Sequence, residues 1–273
     1  MEFASQTKTR NLWQKIHRSP LFDISQFILL VGAIFWFFYN STQELGYNWQ
    51  WYQIPKYIFT HDETGYYAGP LWDGLMVTFR ISGISLLLAF AIGLGTALFR
   101  LSNSFVARII ARIYLELIRN TPLLIQLFFI YFVMGPVLGI SRMASAILAL
   151  SLFEGAYASE IFRAGIVSIR RGQWEAAYSL GLSSFDTYYY IILPQAIRRV
   201  LPPLTSQAIS LIKDSALVST IAIYDLTMQA QAVIAETFLT FELWFTVAGM
   251  YLAVTVTLSF FVHWLENRFK VVT

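Results

Sequence analysis

The 273-residue sequence contains no cysteine. Disulfides, thiolate metal sites and cysteine nucleophiles are therefore excluded. Charge is scarce: only 13% of residues are Asp, Glu, Lys or Arg, about half the share usual in soluble domains. His17, His61 and His263 are the three histidines and lie far apart in sequence, so no histidine metal centre is expected. No G-x-x-x-x-G-K-[ST] string occurs, which leaves the chain without a phosphate-cradling loop for ATP. H-E-x-x-H, G-x-S-x-G and dense carboxylate–histidine clusters are missing as well, so no catalytic residue is expected. Gly/Ser linkers, low-complexity tracts and long-period repeats do not occur either.

What is present is apolar: 57% of residues are hydrophobic and 17% aromatic. Such a composition excludes disorder and predicts an all-α integral membrane protein. A span needs about 20 mostly apolar residues to cross a hydrocarbon core of about 30 Å. Six stretches qualify: Ile24–Asn40, Leu71–Phe99, Tyr114–Leu138, Met143–Gly165, Ala196–Ile212 and Leu243–Leu265. The first ends in Phe35-Trp36-Phe37-Phe38-Tyr39 without a small-residue cleavage site and reads as an uncleaved anchor. With the N-terminus inside, fifteen of the nineteen Lys and Arg residues fall in inner segments, leaving only Lys56, Arg80, Arg142 and Lys213 elsewhere. That bias predicts that both termini are cytoplasmic. It also accounts for the net charge of +3 without a nucleic-acid partner. The outer connection 41–70 carries Trp49, Trp51, Tyr52, Tyr57, Tyr66 and Tyr67, the residues of an interfacial belt.

The inner segment 170–199 is too polar to span and too patterned for a plain loop. Gly172 is expected to stop the fourth span. Gln173–Leu180 reads as a short helix, with Trp174, Ala177, Tyr178 and Leu180 as its apolar surface, and Gly181 breaks it. Ser183, with Asp186 three residues on, resembles a capping box opening a second short helix through Ile192. Pro194 is expected to end that helix by restricting Leu193. Two short helices at a glycine elbow form a projection suited to docking a partner.

Glu175-Ala176-Ala177, Gly181 and Ile191-x-Leu193-Pro194 fit E-A-A-x3-G-x9-I-x-L-P. On these residues the chain resembles the permease subunits of importer-type ABC transporters. Further strings are similar to the polar amino acid permeases of the histidine/glutamine uptake family. They are Arg119-x-Thr121-Pro122-Leu123, Gly155-Ala156-Tyr157-x-x-Glu160-Ile161-x-Arg163, Gly172-Gln173-x-Glu175, Lys213-Asp214 and Leu265-Glu266-x-Arg268. Asn120, Ser206 and Ser215-Ala216 depart from the family's usual Gly, Asn and Thr-Ser.

The resemblance covers about Leu71 to Lys270. It implies a type I ABC importer transmembrane domain over 71–273, with five core spans and coupling helices at 172–194. Residues 1–70 would add a cytoplasmic N-terminus, an extra N-terminal span and an outer loop. Polar amino acids would cross the bacterial plasma (inner) membrane by alternating access. The partners implied are a pair of ATPase subunits carrying ATP and Mg, a second permease (identical or sister), an extracytoplasmic solute-binding protein and membrane lipid. Glu175, Ala176, Ala177, Gly181, Leu193 and Pro194 would make the ATPase-coupling contact. Another small solute, an opine or a sulfur compound, is the alternative within this class. An autonomous secondary transporter would need paired interrupted helices in inverted repeats, and no such pairing is visible.

Charges inside a span cost at least ~2.5–3.5 kcal/mol at its centre. Glu154 lies near the middle of the fourth span, with Tyr157 on its face. It would meet either the ammonium of an amino acid or Arg80 from the second span. Glu160, about 9 Å further along, precedes Arg163 by three residues and reads as half of a structural ion pair. Lys213 either attracts a carboxylate or snorkels. Gln126, Ser206 and Gln207 serve either as interhelical donors or as pathway lining. Pro202-Pro203 either interrupts the fifth span or marks its start.

Overall fold

The computed structural model describes residues 20–44, 46–62 and 65–269, in two units, Met1–Gln50 and Trp51–Thr273. In the first unit, helix α1 spans Pro20–Glu44. Phe27 to Leu30 and Phe35 to Tyr39 are all exposed. A helix that is apolar on every side is a membrane span rather than a surface helix. Ser25 fits it because its hydroxyl donates to the Phe22 carbonyl at 2.8 Å.

The second unit opens with a 3-10 turn at Trp51–Gln53 and a short helix α2, Pro55–Ile58. An antiparallel hairpin follows, β1 Phe59–Asp62 and β2 Gly65–Ala68, with Thr60 opposite Tyr67. The expected aromatic belt thus contains a small sheet. Helix α3 spans Pro70–Leu101 and starts on Pro70, whose missing N–H has no partner to lose in a first turn.

Two segments carry the apolar run expected as the third span. They are α4, Phe105–Arg119, and the stretch α5, Leu123–Phe128, with a wide π-type turn, Phe129–Met134, and α6, Gly135–Leu138. They meet at 106°, so Tyr114–Leu138 is not one straight span. Pro122 is extended and cannot donate, which would strand the last carbonyls of α4. Side chains take part in satisfying them. Asn120 Nδ2 donates to the Glu116 carbonyl at 2.8 Å, Thr121 Oγ1 to that of Leu117 at 2.7 Å, and Gln126 Nε2 to that of Ile118 at 2.7 Å.

Helix α7, Arg142–Val167, is capped by Ser141, whose hydroxyl accepts from the Ala144 N–H at 3.2 Å. It packs most extensively on α3, through buried small residues: Ser82, Ser85, Ala89 and Gly93 on α3, Ala149, Gly155 and Ala158 on α7. A Cβ at Gly93 would lie 2.8 Å from that of Ala158, so only glycine permits the approach. Ser151 donates to the Ile147 carbonyl at 2.6 Å and to that of Ser85 across the seam at 3.3 Å.

Helix α8 spans Arg171–Ser179 and contains Gly172 in its first turn, so Gly172 does not stop α7. Beyond it, α9, Ser184–Asp186, a wide π-type turn, Thr187–Ile192, and α10, Leu193–Asp214, run on without a break. The second short helix therefore does not end at Pro194. The Leu193 N–H reaches back five residues to the Tyr188 carbonyl. That wider turn spares the Pro194 ring its clash with the preceding turn. Pro202 and Pro203 also sit inside α10 and neither start nor interrupt it.

A 3-10 stretch, Ser215–Ile221, leads to α11, Leu226–Thr237, a helix the hydropathy reading did not anticipate. The last helix is α12, Thr240–Phe269. Among the described residues, α1, α3, α7 and α12 are long and apolar enough to cross a membrane, or six spans if each bent pair counts as one.

Candidate functional site

Glu154 is buried on α7, with 1% of its surface exposed. Its Oε2 accepts a short hydrogen bond from Gln207 Nε2 on α10. Its Oε1 is buried and has no hydrogen-bond donor among the described residues. The Asp214 carboxyl interacts with that of Glu154, and exposed Lys213 interacts with Asp214. Arg80 is exposed on α3 and makes no ion pair with Glu154 among the described residues. The site thus combines two carboxyls, one amide and a single peripheral ammonium. Such a set lacks positive charge at its centre and matches the ammonium end of a zwitterion.

The structure separates two other residues from this group. The Tyr157 ring lies 5.1 Å from that of Phe153, and the Arg119 guanidinium sits 5.8 Å from its centroid, beside Glu160 rather than Glu154. Gln126 is committed to the α4 corner, donating to the Ile118 and Thr121 carbonyls. Ser206 is exposed. Asp214 is the residue sequence reasoning left out of the site. The helical distance of seven residues from Gln207 places it on the same face.

Glu160, six residues along α7, has a different environment. Oε1 meets Arg100 at 2.8 Å and Arg119 at 3.0 Å, and Oε2 meets Arg163 at 3.3 Å. One carboxylate therefore ties the end of α3, the end of α4 and α7 together. Arg163 is the local partner the spacing indicated. Arg100 and Arg119 come from other helices, which spacing along α7 cannot reveal.

The α8 elbow is built by its backbone. The Leu182 N–H donates to the Ala177 carbonyl at 3.2 Å and the Gly181 N–H to that of Tyr178 at 3.0 Å, closing a Schellman turn. Gly181 has φ +77°, a left-handed conformation that favours glycine. The Ser183 hydroxyl then accepts from the Asp186 N–H at 3.1 Å and opens the next helix. Glu175 is exposed and pairs with Arg171 at 2.9 Å. Ala176 is exposed, whereas Ala177 is buried within its own chain, so its methyl is not free for an external contact. Leu193 and Pro194 are exposed, as are Leu180 (80%) and Phe185 (75%). Trp174 packs edge-on to Tyr188 at 4.9 Å. One further bond fastens the elbow to α10, Gln195 Nε2 to Gln173 Oε1 at 3.2 Å, and a second joins α10 to the end of α7, Arg199 Nη1 to the Ser168 carbonyl at 2.6 Å.

A family described as "Binding-protein-dependent transport system inner membrane component" matches residues 88–271. The glutamine transport system permease protein of Escherichia coli (strain K12) is 39% identical over 204 residues, covering 74% of this chain and 93% of that protein. The L-cystine transport system permease protein of Bacillus subtilis (strain 168) is 38% identical over 201 residues, covering 72% and 86%. The crystal structure of an amino acid ABC transporter with histidines superposes with a TM-score of 0.69 at 36% identity, covering 73% of this chain and 94% of that one.

Proposed function

The chain belongs to the family of binding-protein-dependent transport system inner membrane components, and from that premise we propose that it carries polar amino acids inward across the bacterial plasma membrane. It is a multi-pass permease subunit of an ABC amino acid importer and not an enzyme. ATP and Mg belong to a separate ATPase subunit, two copies of which would dock on the inner side. A second permease, identical or sister, completes the pathway, and an extracytoplasmic binding protein delivers the ligand. Both termini lie in the cytoplasm, following the bias of Lys and Arg.

The α8 elbow carries this reading. It offers exposed Leu180, Phe185 and Glu175 and is fastened to α10 through Gln173 and Gln195, while Arg199 of α10 holds Ser168 at the end of α7. A rigid projection of this kind turns movement of a docked partner into movement of the helices. At the other end of α10, Gln207 touches Glu154. In this mechanism Glu154 takes the ammonium of the amino acid in transit, Lys213 attracts its carboxylate, and Gln207 releases or re-forms its bond as α10 shifts. Glu160 with Arg100, Arg119 and Arg163 holds the helix ends and takes no part in solute contact.

A sulfur-containing amino acid is the second reading, favoured by the likeness to the L-cystine permease. The test is purification in mild detergent with identification of companions, then screening of the captured binding protein against amino acids. A stoichiometric ATPase with a P-loop is expected; a chain that moves solute alone and without ATP would overturn the reading. The elbow is tested by Gly181→Pro, since proline can neither adopt φ +77° nor donate to Tyr178. ATP hydrolysis is expected to lose its dependence on ligand while the protein still inserts; unchanged coupled transport would remove the elbow from the mechanism.

A further inference from the structure

The Glu160 cluster forms one wall of a cavity of about 600 Å³ between the end of α3, α4 and α7. Five arginines line it (Arg100, Arg108, Arg112, Arg119 and Arg163) against two carboxylates, Glu116 and Glu160. Glu160 is already shared by three of the arginines. Glu116 accepts from Asn120 Nδ2 at 2.8 Å. Arg108 donates to the Ser102 carbonyl at 3.1 Å, and neither it nor Arg112 has a carboxylate partner among the described residues. The concavity therefore holds an excess of three positive charges, on guanidiniums whose planar forks suit a phosphate.

Helix α4 shows where such a phosphate comes from. At 3.6 residues per turn it has three sides. Ala111 and Leu115 are buried against the bundle. Arg108, Arg112, Glu116 and Arg119 form a second side, facing the cavity. Val106, Ile109, Ile110, Ile113 and Leu117 form the third, and all five are exposed. The corner at Pro122 turns α4 by 106° from the segment that follows it. An amphipathic helix with arginines bordering an exposed aliphatic face fits the headgroup level of a bilayer. Its arginine side lies beside the end of α3, at Arg100 and Leu101, and within two turns of the end of α7, at Glu160 and Arg163.

We propose that this cavity binds the phosphate of an anionic phospholipid, with Arg108 and Arg112 as its principal ligands and the acyl chains lying along the aliphatic side of α4. A soluble anion would find the same guanidiniums but would leave that side uncovered. Basic pockets between spans hold anionic headgroups in this way.

The test is native mass spectrometry of the intact complex, incubated with phosphatidylglycerol or with phosphatidylcholine of the same chains. Retention of phosphatidylglycerol at least tenfold above phosphatidylcholine is expected. Arg108→Gln with Arg112→Gln should weaken that retention roughly 30-fold. Glu116→Gln should strengthen it by about two- to fourfold, a gain that a merely damaged fold would not give. Equal retention of the two lipids, or phosphatidylglycerol binding that survives the double arginine change or does not rise in Glu116→Gln, would overturn the assignment. So would displacement of the lipid by millimolar inorganic phosphate, because the site would then belong to a soluble anion.

Discussion

Two carboxylates on α7, six residues apart, show how differently one helix can hold the same chemical group. Glu160 is 28% exposed and meets three guanidiniums from three helices. Glu154 is buried, with one amide donor and a second carboxyl for company. Both are ~9 Å apart along the axis. The first is neutralised within the chain, with charge to spare around it. The second lies at depth with no cationic partner among the described residues, which is what the proposed contact with a solute ammonium requires. A clamp brings its own cations; a contact point for a cationic group leaves the position open.

The largest effect is expected from Glu154→Gln. The amide can still accept from Gln207, so packing survives while the charge is lost. Substrate-driven transport in proteoliposomes should fall roughly 30- to 100-fold, in line with losing a hydrogen bond to a charged group. Thermal unfolding in detergent should stay within about 2 °C. Glu160→Gln should show the reverse pattern. Three guanidiniums would face an amide, and the unfolding temperature should drop by about 5 °C, with transport per folded complex within about twofold. Equal transport losses in the two variants would dissolve the contrast and return Glu154 to a structural part. The smallest change is expected from Arg163→Lys, which keeps the charge but loses the Nε and Nη2 contacts to Glu160 Oε2. Its unfolding temperature should fall by less than about 2 °C, since Arg100 and Arg119 remain.

Hydropathy exposed the long spans because a helix in lipid must be apolar wherever it meets acyl chains; α3 and α7 follow their expected bounds within two residues. It failed at the α4 corner, where the apolar run passes through Asn120-Thr121-Pro122 and a sum over residues cannot register a change of direction. Reading Thr121-Pro122 as a break, with Gln126 near enough to cap it, would have located the turn. Pro194 misled for the opposite reason. Proline excludes the ordinary helical register, but a π-type turn keeps the chain helical through it. The elbow at Gly181 was legible since it is local, set by one glycine and one serine. The pairing of Glu154 with Gln207 joins residues 53 apart, and that of Glu160 with Arg100 joins residues 60 apart, so no local pattern contains them. Arg80 was a reasonable partner by charge and the wrong one by direction, because α3 turns it outward.

The unbroken run from Ser184 to Asp214 also has a mechanical side. At ~1.5 Å per residue, Gln207 stands ~35 Å from Ser184 along this run. A swing of only about 5° pivoting at Ser184 displaces the Gln207 amide by roughly 3 Å, a full hydrogen-bond length. In the proposed mechanism the long arm would therefore magnify a tilt too slight to disturb the elbow's own contacts, so that the hydrogen bond from Gln207 to Glu154 is gained or released at the tip.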